Sequence, residues 1–123
     1  MNVGIVGLGL IGGSMAKSVK TRTLHAVWGA DIDSETMTLA RLCGAIDRPL
    51  TDENLADCDL LLLALAPRSV VGWVQEHAKG IASKTVVIDL CGIKRAVCRE
   101  LAPLARRHGF TYIGGHPMAG LER

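Results

Sequence analysis

Apolar residues along this chain fall into short dense runs, separated by stretches in which they recur at helical spacing. Residues 2–7 hold Val3, Ile5 and Val6 and end in a glycine, the pattern of a strand running into a tight turn. Residues 10–20 carry Ile11, Met15 and Val19 at helical spacing and predict a helix. A second strand is predicted over 26–31. A helix is predicted over 34–42, with Ser34 as its N-cap candidate and Gly44 past its end. Residues 45–47 predict a short third strand. Residues 59–66 predict a fourth, stopped by Pro67. There follow a helix over 69–78, a strand over 85–90 and a helix over 93–101. Pro103 is placed to open a further turn at its first helical position, and a sixth strand is predicted over 110–113.

Strands that alternate with helices demand right-handed crossovers and a parallel sheet covered by helices on both faces. The predicted fold is therefore α/β, a doubly wound Rossmann-type sheet in the order 3-2-1-4-5-6, with one domain over residues 1–123. Composition agrees: 49% of residues are apolar but only 3% aromatic, so the core is aliphatic, as in strands buried on both faces. Net charge is +2 without basic runs or interleaved aromatics, which argues against a nucleic-acid partner. Cys43, Cys58, Cys91 and Cys98 form no CxxC pair and have no histidine at ligand spacing. They read as small buried hydrophobes in a reducing cytoplasm, with no metal site. The strongly apolar run at 60–66 is too short to span a bilayer, and the apolar start lacks the basic region of a signal peptide.

Candidate chemistry begins at Gly7-Leu8-Gly9-Leu10-Ile11-Gly12-Gly13-Ser14, directly after the first strand and opening a helix. In a dinucleotide-binding loop Gly7 allows the turn, Gly9 lets backbone amides approach a diphosphate, and Gly12 lets the helix pack on the strand. The helix N-terminus adds positive potential. The competing reading is a glycine-rich turn without a ligand. Asp31, 19 positions after Gly12, ends the second strand where a carboxylate would accept from ribose hydroxyls and repel a 2′-phosphate. The next residue is Ile32 rather than an arginine, so the expected cofactor is NAD rather than NADP; Asp33 reads as a polar residue near a helix start. Leu65, Ala66 and Pro67 are expected beneath the cofactor, and Cys91 and Gly92 near the nicotinamide. Asp89 is as well explained by a cap or a structural hydrogen bond as by cofactor contact. Cys91 as a nucleophile lacks a placed base.

Gly114-Gly115-His116-Pro117 puts a histidine just past the sixth strand, on the carboxyl edge that carries the glycine loop. It is the catalytic candidate, set against a structural histidine in a turn. His25, His77 and His108 read as surface residues.

With the glycine loop, residues 89–94 and Gly114-Gly115-His116-Pro117-Met118-Ala119-Gly120 with Glu122, the whole chain resembles the prephenate/arogenate dehydrogenases of tyrosine biosynthesis. The GGHPMAG segment is the specific part. The resemblance implies oxidative decarboxylation of prephenate to 4-hydroxyphenylpyruvate, with His116 taking the proton of the ring hydroxyl while its carbon gives hydride to NAD⁺. It places Ser14, Lys94 and Glu122 on the substrate side, Lys94 in a structural or electrostatic role. It also implies a following helical domain that dimerises the enzyme and supplies an arginine for the substrate carboxylate. The chain is then expected to be a fragment of a longer cytoplasmic homodimer, inactive alone. One departure stands out: Gly92 occupies a position where many members carry a serine that helps hold the substrate.

Two other readings compete. A β-hydroxyacid dehydrogenase or imine reductase shares the glycine opening, but GGHPMAG speaks against it. A stand-alone NAD-binding module would bind the cofactor and catalyse nothing.

Overall fold

The computed structural model describes residues 1–92 and 94–116. Six parallel strands form one sheet: β1 (Asn2–Val6), β2 (Ala26–Ala30), β3 (Arg48–Pro49), β4 (Leu60–Leu63), β5 (Val86–Asp89) and β6 (Thr111–Gly114). Their spatial order is β3-β2-β1-β4-β5-β6, as the alternating pattern predicts. Among the described residues the α-helices between them are α1 (Leu10–Arg22), α2 (Ser34–Leu42), α3 (Pro67–His77) and α4 (Lys94–His108). Side chains alternate across a strand, so the sheet feeds two cores. Leu61, Leu63 and Val87 pack with Val70 and Val74 of α3 and Val97 and Leu101 of α4. Val3, Ile5, Val27 and Leu62 pack on the other side with Ala16 of α1 and Ala40 of α2. Each such Val, Leu or Ile side chain contributes about 1.5–3 kcal/mol on burial.

Four local expectations are corrected. The N-cap of α2 is Asp33, not Ser34: its carboxylate accepts from the Glu35 amide at 3.3 Å and the Thr36 hydroxyl at 2.8 Å. The third strand is Arg48–Pro49 rather than 45–47, because the Asp47 side chain takes the Val27 amide at 2.7 Å and displaces the ladder by a step. Pro67 starts α3 at its first turn, and β4 has already ended at Leu63. Pro103 lies inside a single helix rather than opening a new turn. Val97, Leu101 and Ala105 continue the buried stripe past it. Pro103 and Arg99 are both exposed, so the carbonyl left without its helical donor lies on the solvent side.

α1 also packs differently from its apolar spacing. Gly12 and Ala16 are its buried positions, whereas Ile11 and Met15 are each 36% exposed.

Candidate functional site

Sheet register builds the site. Ala30, Val6, Leu63, Asp89 and Gly114 form one paired row across β2, β1, β4, β5 and β6. The segments just beyond that row contain Asp31, Gly7, Leu65, Cys91 and His116. Gly7, Asp31, Leu65, Cys91 and His116 therefore share the carboxyl edge of the sheet. Four interstrand steps of about 4.8 Å separate the Asp31 end from the His116 end, roughly 19 Å in all, enough for an extended dinucleotide.

The two outer glycines of the loop are required by packing. Gly7 has φ +91°, and a Cβ there would lie 2.3 Å from the Ala64 carbonyl oxygen. A Cβ on Gly12 would lie 1.7 Å from the Gly7 carbonyl oxygen. Gly9 differs: a Cβ there meets no atom within 4 Å, so the fold does not account for its being glycine. Gly9 caps α1 without a side-chain acceptor, and the first turn of the helix carries no acidic residue. Its amides and positive dipole end suit an anion. Leu8 is buried beneath the loop, while Leu10 and Ile11 begin α1 with exposed side chains.

Asp31 ties the loop to β2. Its Oδ2 accepts from the Leu8 amide at 2.8 Å and its Oδ1 from the Asp33 amide at 2.9 Å. A carboxylate offers about four acceptor positions, so about two remain for ribose hydroxyls. Beside it opens a cavity of about 590 Å³ lined by Gly7, Asp31, Leu65, Ser69, Trp73 and His77, among others. The residues present therefore fit the adenosine and diphosphate parts of a dinucleotide.

The α3 wall of that cavity escapes a sequence reading. His77, expected on the surface, is half-buried. Its ring stacks on Trp73 with centroids 4.1 Å apart and planes 17° from parallel, and its Nδ1 lies 2.8 Å from the Trp73 carbonyl oxygen. Ser69, Gly72, Trp73 and Glu76 share the i, i+3, i+4, i+7 spacing of one helix face, the signal that marks this wall.

At the other end His116 is exposed and stands beside Gly92: a Cβ on Gly92 would lie 3.7 Å from His116 Nε2. Gly92, the position of the family serine, thus faces the imidazole. Cys91 is buried, its thiol directed at the Leu65 carbonyl at 3.5 Å. Burial and then the Asp89 charge push that thiol up, so it is a poor nucleophile and serves to join the β4 and β5 ends. Ala66 and Pro67 form the N-cap and first position of α3. Lys94 Nζ is paired with Asp89. Ser14 lines a groove between α1 and α2 with Lys17 and Thr36 rather than the cavity beside Asp31. Glu122 and residues 117–120 lie outside the described residues. Among the described residues no group of three metal-ligating side chains occurs, and no helix is long and apolar enough to cross a membrane.

A doubly wound sheet with an open glycine at the N-terminus of α1 and a carboxylate at the β2 end defines a Rossmann dinucleotide-binding domain. Residues 15–123 match the family model for the prephenate dehydrogenase nucleotide-binding domain, and the chain belongs to that family. It is 28% identical to a prephenate dehydrogenase of Bacillus subtilis over 97% of its length, yet spans only 33% of that relative. It superposes on prephenate dehydrogenase from Aquifex aeolicus, solved with hydroxyphenyl propionate and NAD⁺. That match has a TM-score of 0.85 and 28% identity, and covers 100% of this chain and 43% of the other. Synechocystis arogenate dehydrogenase gives a TM-score of 0.85 at 26% identity, over 100% of this chain and 43% of the other. An imine reductase from Bacillus cereus shares the fold at 23% identity and a TM-score of 0.79, a distance that carries the fold alone.

Proposed function

We propose that this chain is the NAD-binding domain of a longer prephenate or arogenate dehydrogenase, with His116 as its general base. The observation that carries this reading is the pairing of a dinucleotide-shaped carboxyl edge with an exposed imidazole facing Gly92, within a chain of this family. The α1 amides around Gly9 hold the diphosphate. Asp31 takes the ribose hydroxyls with the acceptor positions left free by Leu8 and Asp33, and its charge disfavours a 2′-phosphate. NAD⁺, when bound, supplies the hydride acceptor. A neutral His116 accepts the proton of the substrate's ring hydroxyl, and loss of the ring carboxylate as CO₂ makes the ring aromatic. Gly92 brings no hydroxyl to that side. Lys94 is paired with Asp89, and the cation for the substrate carboxylate comes from the helical domain of the longer enzyme, which also forms the homodimer.

The test is His116→Asn in the longer enzyme. Asn keeps a polar side chain but cannot take up the proton, and removing a general base costs about 10²–10⁴ in rate. NAD⁺ affinity should hold, since Asp31 and the glycine loop lie at the other end of the edge. Near-normal turnover of the variant, or loss of NAD⁺ binding in its place, would remove His116 from this role.

A further inference from the structure

Among the described residues the buried polar side chains are Thr85 and Asp89, both 0% exposed. Thr85 is explained by its bond to the Cys58 carbonyl at 2.7 Å. Asp89 is different. A buried carboxylate is costly unless every oxygen is satisfied, and this one gathers donors from three segments. Lys94 at the start of α4 pairs with Oδ1. The Tyr112 hydroxyl of β6 donates to Oδ2 at 2.7 Å. The Gly115 amide reaches both the Asp89 carbonyl at 3.0 Å and Oδ1 at 3.3 Å. Cys98 Sγ of α4 sits 3.3 Å from the Tyr112 oxygen. Burial, then the bonds to Cys98 and Asp89, push the Tyr112 hydroxyl up, which keeps it a protonated donor.

These bonds converge on Asp89, whose carbonyl oxygen and Oδ1 both accept from the amide of the residue before His116. Gly115 itself is packed against β5: a Cβ there would lie 2.6 Å from the Asp89 carbonyl oxygen and 2.7 Å from Ile88 Cγ2. The chain leaving β6 is therefore gripped at Gly115, one residue from an imidazole that lies against Gly92. We infer that Asp89 is a positioning residue: held by Lys94 and Tyr112, its carboxylate fixes the Gly115 amide and so sets His116 Nε2 at Gly92. The functional meaning of that placement rests on the general-base reading of His116; the placement itself does not.

The test is an NMR measurement on this chain, comparing wild type with Asp89→Asn and Tyr112→Phe. The readouts are the nuclear Overhauser contact between the His116 ring protons and the Gly92 α-protons, and the His116 ring chemical shifts. Wild type should show the contact. Tyr112→Phe keeps the aromatic packing but removes a donor from Asp89, so the contact should weaken at least about twofold while the amide spectrum elsewhere is unchanged. Asp89→Asn should lose it. If Asp89→Asn does not fold, Tyr112→Phe alone decides. A folded Tyr112→Phe with wild-type contact and ring shifts would overturn the inference and leave Asp89 as a structural bond only. These outcomes involve no turnover, so they stand or fall separately from the His116→Asn rate measurement.

Discussion

Two glycines of one loop should respond to substitution in opposite ways. At Gly9 the backbone has φ −72°, accessible to any residue, and a Cβ meets nothing within 4 Å. The cost of Gly9→Val is the poorer helix cap, about 1 kcal/mol. At Gly12 a Cβ would overlap the Gly7 carbonyl at 1.7 Å and crowd Ala64 Cβ at 3.1 Å. Backbone cannot swing aside as a flexible side chain does, so Gly12→Ala should cost about 3 kcal/mol or more, beyond the ~1 kcal/mol gained in helix propensity. That is a large share of a domain stability of about 5–15 kcal/mol. For binding the order reverses: a valine at Gly9 fills the space over the α1 amides. Losing two charge-assisted bonds, about 1.5–3 kcal/mol each, weakens NAD⁺ by about 10²–10⁴-fold. Urea denaturation and calorimetric titration of both variants read the two effects. A Gly9→Val that binds NAD⁺ like wild type would show that the diphosphate does not cross Gly9. A Gly12→Ala as stable as wild type would refute the packing argument.

Two further outcomes follow from side-chain geometry. Asp31→Ala should weaken NAD⁺ and narrow the gap to NADP⁺ in parallel titrations, because the carboxylate both accepts from ribose and repels a phosphate; unchanged discrimination would assign the preference to another residue. For Asp47, burial favours the neutral form, but the Lys20 hydrogen bond at 2.5 Å, the Val27 amide and the charges of Lys20 and Arg48 outweigh it and hold the carboxyl below the usual carboxylate range. A depressed native value contributes stability that is full above the unfolded value and fades as pH falls through the native one. Both side chains are about a third exposed, so Asp47→Asn should cost less than about 1 kcal/mol at pH 7 and nothing in strong acid; a pH-independent difference in denaturation midpoint would contradict this.

Most of the sheet was legible because β1, β4 and β5 are β-branched or leucine runs bounded by glycine or aspartate. The short β3 was misplaced because an Asp47 side chain does the work of a backbone carbonyl, which no periodicity records. Pro103 misled because its intrinsic cost is overridden by the buried stripe Val97–Leu101–Ala105 on the opposite face. The glycine loop, Asp31 and the His116 loop could be read from local motifs and the topology rule. The Asp89 cluster could not: it joins residues whose relation exists only once strands β5 and β6 are in register with α4 beside them.

The most direct test of the central claim is calorimetric titration of NAD⁺ and NADP⁺ into this chain. Saturable one-to-one binding of NAD⁺, tighter than NADP⁺ and weakened by about 10²–10⁴-fold in Gly9→Val, is the expected result. No binding of either nucleotide by a chain shown to be folded, or tighter binding of NADP⁺, would contradict it.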